Sequence, residues 1–380
     1  MSFNQKGEKK RILIVSTAYL PLIGGAELAV REITDRLGDN YDFSLICARL
    51  DSKLPSKERI GSVAIERVGF GSSFDKIILP FAVFLKAFRE KRPDVLWVIM
   101  AVQGAFGALF FKIVRPKTKM LLTLQEGDPE ELILKKIGIF YPLWRQIFRR
   151  ADYIQVISRY LKNFAIRHGA VTTIEVIPNG VDFQKIKNTS VFKKFKAKKN
   201  EALIISTSRL AYKNGMDTLI EAMGILVADG HRDLRLAIAG SGPDESKLRD
   251  LAKRLKIESF VDFLGLIEPD DVASFLKAGD VFVRPSRAEG LGSSFLEAMA
   301  VGLPVIGTRV GGIPDFLEDQ KTGLFCKVDD PKDLASKIKL LLSNKKLYEN
   351  IALGGKNLVD SNYDWSNIAM RMKKIFDSMT

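Results

Sequence analysis

Glu289 and Glu297 stand eight residues apart around Gly290-Leu291-Gly292-Ser293. The stretch 281–314, VFVRPSRAEGLGSSFLEAMAVGLPVIGTRVGGIP, reads as a buried strand, a glycine loop, a helix over 294–300 and a second strand. Loop amides at a helix N-terminus form a positive, donor-rich hollow that suits phosphate. Two carboxylates beside it can accept the hydroxyls of a sugar and a ribose. The combination points to a sugar nucleotide. A plainer account uses the same residues. Ser294-x-x-Glu297 has capping-box spacing, with the glutamate satisfying its own helix. Gly290 and Gly292 would then only turn the chain.

Arg209 and Lys213 follow the apolar run 203–206, on the same strand edge as Glu289. A departing diphosphate needs cations that neutralise growing charge, and this pair can supply them. Cations beside a helix start do nothing for that helix, which favours a functional use over plain surface charge. Gly240-Ser241-Gly242-Pro243 closes another strand and offers a second loop for close approach of a nucleotide. In the first half, Gly24 and Gly25 open a helix after the first strand, where doubly wound sheets bind ligands. The G-x-G-x-x-G fingerprint is absent there, so the two glycines also fit a simple turn.

These residues need sheets to hold them. Apolar runs at 12–15, 43–47, 95–98, 120–124, 154–157 and 174–177 alternate with helical segments such as 26–37. A second alternation has runs near 203–206, 234–239, 261–264, 281–283, 305–306 and 324–326. The expected fold is α/β with two Rossmann-like domains, each built on a parallel sheet. The expected boundaries are 1–183, a basic linker at 184–200, and 201–363. The final segment, 364–380, has apolar residues at 365, 368, 369, 372 and 376. That spacing predicts an amphipathic helix that packs back on the first domain.

The chain has 380 residues and a net charge of +14. No apolar run reaches membrane-span length, and the N-terminus lacks a signal-peptide core, so a cytoplasmic location is expected. Cys47 and Cys326 lie in strand-like runs and read as reduced core thiols. The charge is uneven. Residues 1–183 carry 28 basic and 19 acidic side chains, residues 184–200 seven lysines and no acid, and the remainder 24 basic and 26 acidic. Such a first half fits a nucleic-acid face, an anionic membrane surface or a plain lysine-rich exterior. The acidic second half and the lack of a nucleic-acid motif argue against nucleic acid. Segments 77–92 and 135–150 mix large apolar and basic residues, among them Phe140, Trp144 and Phe148. They fit either interfacial helices, with Trp144 and Phe148 entering a bilayer, or core helices with a charged exterior.

The pieces PLIGGAE, VIPNGVD, TSRLAYKNGMDTLIEAM, AGSGPDE and RAEGLGSSFLEAMAVGLPVIGTRVGGIPDFL resemble family-four retaining glycosyltransferases over essentially the whole length. Glu289 and Glu297 match the family's E-x(7)-E signature. The resemblance implies the GT-B fold, with sheets facing a central cleft, and transfer of a hexose from a nucleotide sugar to a hydroxyl acceptor. The aromatic and basic mixture at 77–92 and 135–150 leads to the expectation that this acceptor is lipid-linked, with a glycan as the alternative. It implies that Glu289 contacts the transferred sugar and Glu297 the ribose. Arg209 and Lys213 would hold the diphosphate, aided by the amides of Gly290, Leu291, Gly292 and Ser293. Gly24 and Gly25 would approach the donor from the first domain. No cofactor or metal is expected, and no Asp-x-Asp pair occurs.

Many members place a histidine after the strand at 120–124, where this chain has Gln125-Glu126-Gly127-Asp128. Glu126 or Asp128 can take a proton from an acceptor, and Gln125 can hold the sugar. Both acids equally fit helix caps. A same-fold epimerase or phosphorylase is the nearest rival activity.

Overall fold

The computed structural model describes residues 8–89, 92–187, 189 and 201–380. They form two compact α/β units. The first holds the chain up to Glu126, Glu130–Asn179 and Trp365–Thr380; the second holds Gly127–Pro129 and Gly180–Asp364.

The first unit begins with β1 (Lys10–Val15), α1 (Gly25–Leu37), β2 (Tyr41–Ala48), β3 (Lys57–Ile60) and β4 (Val63–Val68). It continues through α2 (Asp75–Arg89), β5 (Val95–Ile99), α3 (Gln103–Val114), β6 (Lys119–Leu124) and α4 (Glu130–Ile137). Then come α5 (Tyr141–Arg150), β7 (Tyr153–Val156), α6 (Arg159–Arg167) and β8 (Ile174–Val176). The strand order is β3-β4-β2-β1-β5-β6-β7-β8. Only β3 runs antiparallel to its neighbour. Every residue of β5 is buried, as a strand covered on both faces requires. The β3–β4 hairpin was not expected. Its KERI and VAIERV carry five charges, which hide the apolar alternation of a sheet edge.

The second unit contains α7 (Phe183–Lys187), β9 (Ala202–Thr207), α8 (Met216–Ala228), β10 (Leu234–Ala239) and α9 (Glu245–Arg254). It continues with β11 (Val261–Gly265), α10 (Pro269–Lys277), β12 (Val281–Arg284), α11 (Ser293–Ala300), β13 (Val305–Thr308) and β14 (Leu324–Cys326). Helices α12 (Pro331–Ser343) and α13 (Lys345–Asn362) follow. Its sheet is parallel in the order β11-β10-β9-β12-β13-β14. Helix α7 occupies the start of the segment expected to be linker. Residues 188 and 190–200 of that segment lie outside the described residues. Cys47 and Cys326 are free and buried.

Helix α14 (Trp365–Met379) belongs to the first unit. Its Trp365, Ile368, Ala369, Met372 and Phe376 join that unit's core. The Phe376 ring meets Tyr41, Phe43 and Trp97 edge-on. Arg371 donates to the Val176 carbonyl at 2.6 Å and to Glu175 at 3.0 Å. An amphipathic helix is worth little alone, and burial of this face is what fixes it.

In α5 the structure corrects the interfacial expectation. Trp144 is 1% exposed, and Ile147 and Phe148 are equally buried. The indole N–H donates to the Ala101 carbonyl at 2.7 Å. Trp144, Phe148, Phe164 and His168 pack as one aromatic cluster. Those rings are core. Among the described residues no helix is long and apolar enough to cross a membrane.

Candidate active site

In the second unit the strand order reverses between β9 and β12, and ligands of doubly wound sheets bind beyond the strand ends at such a point. The loops that leave β9 and β12 carry Arg209, Lys213 and Glu289. Strand β12 ends on Arg284, a buried arginine. Its Nη1 donates to Ser294 Oγ at 2.6 Å and its Nε to Ser286 Oγ at 3.2 Å. Its Nη2 pairs with the Glu289 carboxylate. The Gly290 amide donates to Glu289 Oε1 at 3.2 Å. Glu289 is thus gripped by the strand below it and by the loop after it.

Helix α11 starts at Ser293, with Gly292 as its N-cap and no side-chain cap bond. Gly292 has φ +100°, a region that a side chain makes costly. Ser294 lies inside the first turn and gives its oxygen to Arg284, so the capping-box spacing is not used as a cap. Glu297 follows one turn further on. Burial pushes its carboxyl up to about 7, against the pull of Arg284 and Lys185. Burial also pulls the Arg284 guanidinium down to about 10, opposed by Glu297. A carboxyl poised near neutrality can donate or accept a hydrogen bond to a hydroxyl.

Backbone contacts join the two loops. The Lys213 carbonyl accepts from the amides of Arg287 at 2.7 Å and Ala288 at 3.3 Å. Arg287 reinforces this junction. It donates to both oxygens of Asp217 at 2.8 Å, to Asp329 at 2.6 Å and to the Tyr212 carbonyl at 2.6 Å. The Lys213 ammonium donates to Asp128 Oδ1 at 3.0 Å and the Gly127 carbonyl at 3.1 Å, residues that group with this unit. The Arg209 side chain is exposed. A Cβ on Gly240 would stand 1.8 Å from the Ser208 carbonyl oxygen, and one on Gly242 would stand 2.2 Å from that of Leu210. These two glycines therefore let the loop after β10 lie backbone to backbone against the loop after β9.

The other expected site residues lie in the first unit. Gly24 is the N-cap of α1, and a Cβ on it would stand 2.5 Å from Glu27 Oε2. Gly25 faces open space. Glu126 is buried, and its Oε1 accepts from the Ala101 amide at 2.8 Å. Gln125 Oε1 accepts from Asn179 Nδ2 at 3.1 Å. His168 caps α6, and its Nε2 lies 3.0 Å from Glu130 Oε1. The structure thus gathers Gly290, Leu291, Gly292, Ser293, Glu289 and Glu297 on one loop and helix, beside the Lys213 backbone. Sequence reasoning missed Arg284, Arg287 and Ser294. An arginine ending the apolar run Val-Phe-Val was the available signal, because a buried guanidinium demands partners.

Two parallel-sheet units with ligand loops at a switch point define the class, the GT-B fold. Sucrose-phosphate synthase from Thermosynechococcus elongatus shares it, with a TM-score of 0.83 over 98% of this chain and 99% of that one, at 20% identity. The description Glycosyltransferase Family 4 matches residues 23–185, and Glycosyl transferases group 1 matches residues 187–358. This chain belongs to that glycosyltransferase family. An uncharacterised glycosyltransferase of Methanocaldococcus jannaschii is 25% identical over 98% of this chain and 99% of its own length. The GDP-mannose-dependent monoacylated alpha-(1-6)-phosphatidylinositol monomannoside mannosyltransferase of Corynebacterium glutamicum is 32% identical over 62% of this chain and 64% of its own.

Proposed function

We propose that this chain transfers a hexose from a nucleotide sugar to a hydroxyl of a lipid-linked or glycan acceptor, with retention of configuration. The observation that carries the reading is Glu289, held between Arg284 and the Gly290 amide at the head of α11. Glu289 would accept hydroxyls of the transferred sugar, and Glu297 those of the ribose. Arg209, Lys213 and the amides from Gly290 to Ser293 would stabilise the diphosphate as it leaves. Stabilising charge that develops only in the transition state raises turnover directly. The lipid-linked acceptor draws support from the phosphatidylinositol mannoside enzyme to which this chain is similar. Catalysis without a metal draws support from the lack of an Asp-x-Asp pair. Such an acceptor would bring the chain to a membrane surface, and the cytoplasmic face is the side proposed.

Melting the protein with UDP-, GDP- and ADP-hexoses tests the donor, because a ligand bound only by the native state raises the melting point. One of them should stabilise the protein and be consumed when acceptor lipid is added, and NMR of the product should show the donor's anomeric configuration. Stabilisation by none would sink the reading.

A further inference from the structure

Helix α2 buries one face and leaves the opposite face apolar. Leu79, Val83 and Ala87 point into the first unit. On that side α3 comes so close that a Cβ on its Gly107 would stand 2.3 Å from the Pro80 carbonyl oxygen. On the far side Phe74, Ile77, Phe81 and Leu85 form one stripe at helical spacing. Phe81 is 73% exposed, and Phe70, just before the helix, is 82% exposed. Helix α3 adds exposed Phe110, Ile113 and Val114. Scattered apolar side chains need no explanation, but a continuous face of this kind marks a docking surface.

Between this stripe and the end of β4 lies a cavity of about 410 Å³, lined by Val68, Ile78, Phe81, Ala82 and Leu85 together with Arg67 and Lys86. That volume falls in the range of ligand pockets. Both of its cations are already paired, Lys86 with Glu66 and Arg67 with Glu58. The cavity therefore suits hydrocarbon better than a free phosphate.

Charge selects the occupant. From Phe70 to Arg150 the sequence holds fourteen basic and seven acidic residues. Exposed Arg115, Lys117 and Lys119 follow α3. The Arg115 guanidinium rests 5.1 Å from the centroid of the Phe88 ring on α2, so this positive cluster adjoins the stripe. A second copy of the chain, paired through the same face, would bring like charges together. An anionic bilayer meets both features, with rings in its interface and cations among its headgroups.

We propose that α2 docks the protein on an anionic phospholipid bilayer through Phe74, Ile77, Phe81 and Leu85, and that the adjoining cavity receives lipid hydrocarbon. The proposal deepens the lipid-linked acceptor reading and rests on it. The full-length protein should be sedimented with phosphatidylcholine vesicles and with vesicles of equal phosphatidylcholine and phosphatidylglycerol, at low and high salt. Binding should favour the anionic vesicles and fall with salt. The double variant Phe74→Ser with Phe81→Ser should bind on the order of tenfold less, because two rings leave the interface. Its melting point and nucleotide-sugar hydrolysis should match the parent. Vesicle binding without any nucleotide-sugar hydrolysis would support docking while removing the glycosyl-transfer reading. Equal binding by variant and parent would overturn the proposal, as would indifference to lipid charge. A parent dimer in sedimentation velocity that the double variant abolishes would also overturn it and make the face a self-contact.

Discussion

Arg284 Nη1 donates to Ser294 Oγ at 2.6 Å, while the same guanidinium pairs with Glu289. One buried side chain thereby ties the end of β12 to the start of α11 and to the carboxylate between them. Lysine keeps the charge but lacks the fork that reaches both partners. Arg284→Lys should therefore lower kcat more than it raises the donor KM. Arg284→Leu should also cost about 3–5 kcal/mol of stability, because it strands a partly buried carboxylate. Steady-state kinetics with urea unfolding of both variants checks this. Unchanged kcat in the lysine variant would remove Arg284 as a positioning residue.

The Glu297 carboxyl is pushed by burial from 4.5 to about 7. A raised carboxyl pKa means the folded state resists ionisation. The cost is absent below pH 4.5, grows between 4.5 and about 7, and is complete above. Glu297→Gln removes it, so the variant's stability relative to the parent should rise through that window and then level off. The gain above the window should be at most about 3 kcal/mol. Nucleotide affinity, measured on the same samples, should fall. Stability lost at every pH with affinity unchanged would make Glu297 a purely structural residue.

Departing diphosphate charge is the reason to test Arg209→Ala and Lys213→Ala. Each should lower turnover on the order of 10²-fold, with a smaller effect on donor binding. Single-turnover kinetics at saturating donor separates the two effects. Near-parent turnover in both variants would leave the diphosphate without its proposed cations.

Much of this arrangement was legible because buried parallel strands are uniformly apolar. Val95–Ile99 and Ala202–Thr207 have few other ways to fold. The β3–β4 hairpin was not legible, since Lys57, Glu58, Arg59, Glu66 and Arg67 interrupt its pattern at a sheet edge. The sequence leaves Trp144 and Phe148 between two readings for a related reason. Basic residues beside aromatics look alike whether the rings face lipid or a neighbouring helix, and only tertiary packing decides. The glutamate pair was legible from spacing, but Ser294 was not. Its role depends on α11 starting one residue earlier, at Gly292-Ser293, which frees its hydroxyl for Arg284.

Glu126 has two readings that one pair of variants separates. Its Oε1 accepts from the Ala101 amide at 2.8 Å, which ties the loop after β6 to the loop after β5. A proton acceptor would have to keep its charge in this buried place, where ionisation is costly. A loop anchor needs only an acceptor oxygen, and glutamine supplies one. Glu126→Gln should therefore keep the melting point and most of the turnover. Glu126→Ala should lose about 1–3 kcal/mol, because the Ala101 amide is left without its partner. Thermal melts and initial rates across pH decide between the roles. If Glu126→Gln melts like the parent yet loses turnover, with the acidic limb of its pH profile gone, Glu126 takes the acceptor's proton and the anchor role is secondary.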